Sequence, residues 1–441
     1  MVIYFMTCRN FCTLYFEENV FFVKFAHKNM EKMNTFRCMA CAWAMMTLAV
    51  TSFAQQTKSY DSYKGLVMAG YQGWFSTPDD GGNRGWYHFQ GKDGTFRPGS
   101  TNVDLWPDVS EYDKTYESPF KLENGKPAHV FSSRDASTVD LHFKWMKQYG
   151  IDGVFVQRFV VDQKWPLGKA HHDTVLDNAM NSSRKYGRAV CVMYDLTGMS
   201  PGDEKVVLDD IKKLAGKYNL FQHQRCPQYL YHNGKPLVAV WGVGFNDGRK
   251  YGFKETEAII KGLKSMGYSV LLGVPAYWRE MVKDCDKDPR LHQQIKMCDI
   301  LLPWFVGRYN EQSFPGFKKL ILEDMKWAKA NNVDYAPVCF PGFSWRNMNY
   351  LKKQDVVGMP RNKGAFYKMQ LDFNAEYAQM IYIAMFDEID EGTAIFKIAK
   401  KVPTPTKGSE FLPLEKGVNS GYYMKLTGKA AKKLKKRLGV K

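Results

Sequence analysis

Eight short apolar runs recur along the chain, at Leu66 to Phe75, Gly153 to Phe159, Ala189 to Tyr194, Leu237 to Val243, Ser269 to Val274, Ile300 to Val306, Tyr335 to Phe340 and Ile381 to Phe386. The runs are continuous rather than alternating, as expected of parallel strands covered on both faces. Between them lie His171 to Tyr186, Asp203 to Tyr218, Lys254 to Met266, Pro289 to Met297, Gly316 to Asn331 and Ala365 to Met380, which carry charged faces, apolar residues at helical spacing, or both. Turns such as Lys185-Tyr186-Gly187 and Met266-Gly267-Tyr268 close several of these helices. Alternating strands and helices imply a parallel sheet, and eight such units over about 250 to 350 residues favour closure into an α/β fold of the (β/α)8 TIM-barrel type. An open doubly wound sheet is the competitor, but no GxGxxG or GxxxxGK[ST] follows the first run.

One stretch breaks the rhythm. Ser76 to Ala136, between the first two runs, is dense in Gly, Pro, Asp and Trp. A long connection of this kind is functional or disordered. Its Trp86, Trp106 and many Tyr and Phe residues point to a folded loop over the barrel mouth, with one short strand near His129 to Ser132.

The amino-terminal 54 residues do not read as part of this fold. From Met30 the sequence has a short basic region with Lys32 and Arg37, an apolar run from Cys38 to Val50, and then Ser52-Phe53-Ala54. That is the pattern of a signal peptide cleaved after Ala54, with a non-cleaved membrane anchor as the alternative, so the mature protein is expected in the periplasm or secreted. Residues 1–29 read as an upstream extension, 30–54 as the signal peptide, 55–424 as a single barrel domain and 425–441 as a basic tail. No later segment reaches about 18 uninterrupted apolar residues, so no stable membrane span is expected in the mature chain.

Composition narrows the chemistry. Of 441 residues, 45% are hydrophobic and 24% charged, which excludes disordered and collagen-like classes. The 11 Trp, 25 Tyr and 29 Phe supply more aromatic surface than a core needs, and suit stacking on flat ligands. The net charge of +17 resembles a nucleic-acid signal, yet Lys425 to Lys441 alone holds eight basic residues and no acid. A solvated tail or terminal helix face is the plainer account, and no nucleic-acid partner is expected. Of nine cysteines, Cys191, Cys226, Cys285, Cys298 and Cys339 lie in the mature part without CxxC spacing; they read as buried thiols, though an oxidising compartment leaves room for one disulfide.

Catalytic groups of a barrel collect where its strands end. Here the strand ends carry Tyr71, Gln72 and Trp74; Arg158 and Asp162; Tyr194 and Asp195; Trp241; Trp278; Trp304 and Arg308; Trp345 and Arg346; and Asp387, Glu388, Asp390 and Glu391. Aromatic faces stack on sugar rings, Arg and carboxylates take hydroxyls, and two carboxylates cleave a glycosidic bond. Asp195 and Glu388 form the best acid pair, with Asp387 and Glu391 as further catalytic candidates. Tyr71, Gln72, Trp74, Arg158, Asp162, Tyr194, Trp278, Trp304, Trp345 and Arg346 are the candidate substrate contacts. The duller alternatives are an N-cap role for Asp195, a structural ion pair for Asp162 and packing for each tryptophan. His171-His172 lacks HExxH spacing and no GxSxG occurs, so neither a metal nor a nucleophilic serine, and no cofactor, is called for.

The segment Phe386-Asp387-Glu388-Ile389-Asp390-Glu391-Gly392-Thr393-Ala394-Ile395 resembles the motif that closes the barrel of family 99 endo-α-mannosidases and family 71 α-1,3-glucanases. Gly70-Tyr71-Gln72-Gly73-Trp74-Phe75 and the Tyr194-Asp195 strand end resemble two further landmarks of that superfamily, and the likeness runs from about Lys64 to Lys397. The resemblance implies a (β/α)8 fold and metal-independent action on α-linked glycans. Family 99 places two glutamates three residues apart after the third strand, where this chain has Asp195 and Gly198. It therefore resembles a divergent member lacking the usual acid/base there, with Glu388 the residue carried over most directly. The expectation is an exported glycoside hydrolase acting on an oligosaccharide or polysaccharide. A catalytically silent glycan-binding barrel, and a basic protein for acidic polysaccharide or nucleic acid, are the alternatives.

Overall fold

The computed structural model describes residues 58–355 and 357–440; the extension, signal peptide and cleavage site expected before Gln55 lie outside them. In chain order the strands are β1 (Val67–Tyr71), β2 (Tyr116–Lys121), β3 (Pro127–Val130), β4 (Gly153–Phe159), β5 (Ala189–Asp195), β6 (Tyr231–His232), β7 (Lys235–Trp241), β8 (Ser269–Pro275), β9 (Ile300–Trp304), β10 (Asp334–Tyr335), β11 (Val338–Cys339), β12 (Phe343–Ser344), β13 (Gly358–Met359) and β14 (Ile381–Ile383). The central sheet runs β10-β9-β8-β7-β5-β4-β1-β14-β11 with every neighbouring pair parallel. The two ends of that order are consecutive pieces of one stave. β10 pairs β9, β11 pairs β14, and Ala336-Pro337 joins them, since proline has no N–H to give the ladder. The ladder continues through the break, with Ala336 donating to the Leu301 carbonyl at 2.8 Å and Tyr382 donating to that of Pro337 at 3.0 Å. The ring is closed, and the chain is an eight-staved (β/α)8 barrel.

The helices fall between staves as their amphipathic patterns require: Pro166–Tyr186, Glu204–Tyr218, Phe253–Ser265, Arg290–Met297, Phe314–Ala330 and Ala365–Tyr377. Gly187 and Asn219 end the first two in the left-handed region, where their backbones close the last turn. A further helix, Ala136–Tyr149, precedes β4. The long connection is folded: β2 alternates buried Tyr116, Ser118 and Phe120 with exposed Glu117, Pro119 and Lys121 and pairs antiparallel with β3. Phe89, Phe96, Trp106, Phe120 and Phe131 pack ring against ring beneath it. The five described cysteines are free and buried. No described helix is long and apolar enough to cross a membrane.

The basic segment expected as a tail is largely helical, within Tyr422–Leu438. Tyr423, Met424, Leu426, Ala430, Ala431 and Leu434 form its buried face, while Lys425, Lys429, Lys432, Lys433 and Lys436 lie off it, so most of the charge is a solvated helix face. The helix packs close to Tyr149, and a Cβ on Gly428 would sit 1.7 Å from the Tyr149 carbonyl oxygen. Lys435 pairs with the buried Asp152, whose other carboxylate oxygen accepts the backbone N–H of Val67 at 3.0 Å. Leu434→Ala is expected to cost about 2–5 kcal/mol in urea denaturation, because it leaves a hole in this contact. Lys432→Ala should change stability by less than about 0.5 kcal/mol.

Candidate active site

At the carboxyl ends of the staves lies a cavity of about 720 Å³. Side chains of a strand alternate between its two faces, and that parity decides which residues reach the cavity. On β4, Gln157 and Phe159 line it while Arg158 points away; on β5, Met193 and Asp195 line it while Tyr194 does not. Phe159, Asp195, Trp241 and Gly273 are paired in one row across β4, β5, β7 and β8. Gly273 leaves room for the indole beside it, since a Cβ there would fall 2.4 Å from a Trp241 ring carbon.

The structure brings together Asp195, Glu388, Glu391, Gln72, Trp74, Asp162, Trp304 and Trp345 around this cavity. The other candidates are placed elsewhere. Arg158 is fully buried outside the ring, its guanidinium donating to Asp210, Asp173 and Gln163, with the Tyr194 hydroxyl donating to the same Asp210 at 2.7 Å. The Tyr71 hydroxyl shares a 2.8 Å hydrogen bond with His142. Trp278 is buried and donates to Asp324 at 3.3 Å, and Arg346 pairs with Glu410. Asp387 is a backbone clamp: its carboxylate accepts the N–H groups of Gln72 and Gly73 at 2.8 and 2.9 Å. These six do not line the cavity, so direct contact with a ligand held there is corrected to structural support.

Tyr87, His88, Gln157, Trp241, Phe245, Asp247 and Arg249 line the cavity without having been singled out as site residues. Parity would have found Gln157, one residue before Arg158; Tyr87 and His88 sit in the irregular loop, where no periodicity marks them. Trp74 is covered on both faces, by the His88 ring at 3.7 Å and 7° and the Phe159 ring at 5.1 Å and 29°. It is therefore a wall rather than a free stacking platform. Trp241 and Trp304 meet edge to face at 5.3 Å. Five lining side chains, Gln72, Gln157, Trp74, Trp241 and Trp345, each keep a buried polar atom without a hydrogen-bond partner.

Electrostatically the site is a cluster of carboxyls held in low dielectric. Glu388 accepts hydrogen bonds from the Gln72 amide and the Thr393 hydroxyl. Burial carries its carboxyl well above the ordinary range, and the charges of Glu391 and Asp390 add to this. Burial likewise pushes Asp387 up to about 7 and Asp390 and Glu391 up to about 8, with the charge of Asp390 contributing for Glu391. Asp195 is also raised by burial, against the Thr197 hydrogen bond and the charge of Arg249. Asp162 goes the other way. Burial opposes its ionisation, but the 2.9 Å hydrogen bond from His172, with the charges of His172 and Arg84, holds it below the usual carboxylate range. The site thus combines three acids that keep a proton at neutral pH, Glu388, Asp390 and Glu391, with an ionised Asp162 on the neighbouring wall. Among the described residues no group of three or more His, Cys, Asp or Glu is placed to hold a metal ion.

No protein-family model matches the sequence, and no curated protein matches it. Among solved structures, the fold is shared with a GH99 endo-α-mannosidase from Bacteroides thetaiotaomicron. Its complex with Bis-Tris-propane aligns at a TM-score of 0.55 and 17% identity, covering 87% of this chain and 100% of the other. A second structure of that enzyme aligns at 0.56 and 16% identity, covering 85% and 99%. At these identities the likeness is one of fold.

The raised carboxyls make stability depend on pH. Asp387, Asp390 and Glu391 hold protons in the folded protein up to about 7, 8 and 8, whereas an unfolded chain releases them near the ordinary carboxyl values of 3.8 and 4.5. Through these three groups the folded state binds more protons across that window, so their contribution to stability falls as pH rises from about 4 to about 8. Glu391→Gln removes one of these protons from the balance and should flatten the decline, as read by thermal midpoints at pH 5 to 9.

Proposed function

We propose that the protein is a glycoside hydrolase, a divergent relative of the GH99 endo-α-mannosidases, that cleaves an α-linked glycan by carboxylate chemistry without a metal. The observation that carries this is the meeting of Asp195 with Glu388 and Glu391 in one aromatic-walled cavity at the carboxyl ends of the staves. The shared barrel of the Bacteroides mannosidase, and the motif at Phe386 to Ile395, support an α-linked substrate.

In this reading Glu391 is the acid. Its buried carboxyl is protonated at neutral pH, and it gives that proton to the glycosidic oxygen as the bond to the anomeric carbon breaks. Asp195, on the end of β5, is the carboxylate that takes a proton from the attacking group or meets the positive charge building at the anomeric carbon. Glu388, hydrogen-bonded to Gln72 and Thr393, lines the same cavity. Export to the periplasm or medium completes the proposal and places the enzyme where polymeric glycans are met.

One observation favours a second reading, a glycan-binding barrel without turnover: both Glu388 oxygens are already engaged within the wall. A panel of α- and β-linked oligosaccharides, assayed for products with the parent, Glu388→Gln, Glu391→Gln and Asp195→Asn, decides between them. The expected result is cleavage by the parent, unaffected by EDTA, with at least about a hundredfold loss in Glu391→Gln. Because the acid must hold its proton, activity should fall as pH rises through about 8. Binding without products from any glycan would replace the enzyme with the binder. Amino-terminal sequencing of the exported protein should begin at Gln55.

A further inference from the structure

His88 is a histidine that the acid cluster does not explain. It lies in the irregular loop after β1 and lines the cavity. Its ring is pinned on several sides: flat on Trp74 at 3.7 Å, and edge-on to Tyr87 at 4.9 Å and Phe75 at 6.1 Å. Its Nδ1 lies 3.0 Å from an Asp390 carboxyl oxygen, and Asp390 is itself only 2% exposed. Nε2 makes no hydrogen bond among the described residues, and a quarter of the side chain (25%) remains open on the cavity. The backbone at His88 sits at φ 65°, in the left-handed region that a non-glycine residue occupies at a cost. A ring needed only to cover Trp74 would not require nitrogen, nor a buried carboxyl on one nitrogen while the other faces open space.

We propose that His88 is a substrate-contacting, specificity-determining residue whose Nε2 meets a hydroxyl of a sugar ring, with Asp390 as the positioning residue that fixes the imidazole through Nδ1. The inference rests on the glycan reading of the cavity and adds to it the chemistry of one contact. A hydroxyl both donates and accepts, so it pairs with Nε2 in either tautomer of a neutral ring. Burial, aided by the charge of Arg84, pushes the His88 imidazole down to about 3, so the ring is neutral at neutral pH. An anionic group in its place would add charge beside Asp162 and the carboxyl cluster. The rest of the wall agrees with a neutral ligand: Gln72, Gln157, Trp74, Trp241 and Trp345 line the same cavity with uncharged side chains, and the hydroxyls of a neutral polyol add no charge beside the acids.

The test uses the mature protein and the glycan that the oligosaccharide panel identifies. His88→Phe keeps a ring on Trp74 and removes both nitrogens. It should raise KM, and the Kd of the same glycan in a Glu391→Gln background, by about tenfold, the loss of one hydrogen bond to a neutral partner, while kcat stays within about threefold. Asp390→Asn should weaken binding in the same direction by a smaller factor, and His88→Gln, which keeps polar atoms near the Nε2 position, should recover part of the loss. In 15N-labelled parent protein the Nε2 resonance of His88 should move on saturation with the glycan, a readout that a purely structural ring would not give. Unchanged affinity in His88→Phe, or an Nε2 resonance indifferent to saturating glycan, would overturn the proposal; if the Phe variant does not fold, the Gln variant and the resonance decide. A parent protein that neither binds nor cleaves any glycan would instead overturn the reading of the cavity itself, an outcome distinct from a glycan that binds without noticing His88.

Discussion

The mouth of this barrel depends on one buried carboxylate. Asp387, just past the eighth stave, accepts two backbone N–H groups at the end of the first, those of Gln72 and Gly73. The neighbouring N–H of Phe386 donates to the Gly70 carbonyl at 2.7 Å, so the seam is stitched by both backbone and side chain. Hydrogen bonds to a carboxylate in low dielectric are strong, and a donor left without its partner there is costly. The clamp fixes the turn that carries Gln72 and Trp74 and sets Glu388 against the Gln72 amide. Ring closure and the arrangement of the cavity are therefore one structural fact, and the acid nearest the seam supports the site without lining the cavity.

The eight staves were legible because a parallel strand buried on both faces must be apolar throughout, which leaves an uninterrupted run. Even the split seventh stave shows its cause in Pro337. Which stave-end residue faces inward was not read from the same runs, because a strand apolar on both sides carries no alternation to count. Tyr71, Arg158 and Tyr194 each sit one residue from a side chain that lines the cavity, namely Gln72, Gln157 or Phe159, and Met193 or Asp195. Anchoring the parity on Asp195 would have sent Tyr194 outward and, through the pairing of β4 with β5, Arg158 as well. Trp278 and Arg346 lie beyond the staves, where parity no longer applies. Tyr87 and His88 come from the irregular loop, whose aromatic content signalled order but whose path over the mouth is set by tertiary packing.

The carboxyl cluster owes its properties to where it is held more than to its members. Four acids in a span of five residues would titrate ordinarily on a solvated loop; here burial raises all four, their mutual repulsion reinforces it, and Glu388, Asp390 and Glu391 keep protons at neutral pH while Asp387, up to about 7, is partly ionised in its clamp. Asp162, on the neighbouring wall, differs because His172 and Arg84 were brought to it by the helix that follows β4 and by the long loop. Arg158, which chemistry alone recommends as a ligand for hydroxyls, is consumed instead in holding three helical segments, through Gln163, Asp173 and Asp210, to the sheet.

The pairing of Lys435 with Asp152 bears on how the protein is made. Asp152 also caps the start of the first stave through the N–H of Val67, so the earliest strand of the barrel and a helix more than 350 residues later share one buried carboxylate. On the ribosome the first stave emerges long before that lysine exists, and the second oxygen of Asp152 must wait without its cation until nearly all of the domain has been synthesised. Folding cannot then be completed piecemeal from the amino terminus, and a chain stalled short of residue 435 would display an unfinished underside to whatever machinery inspects it.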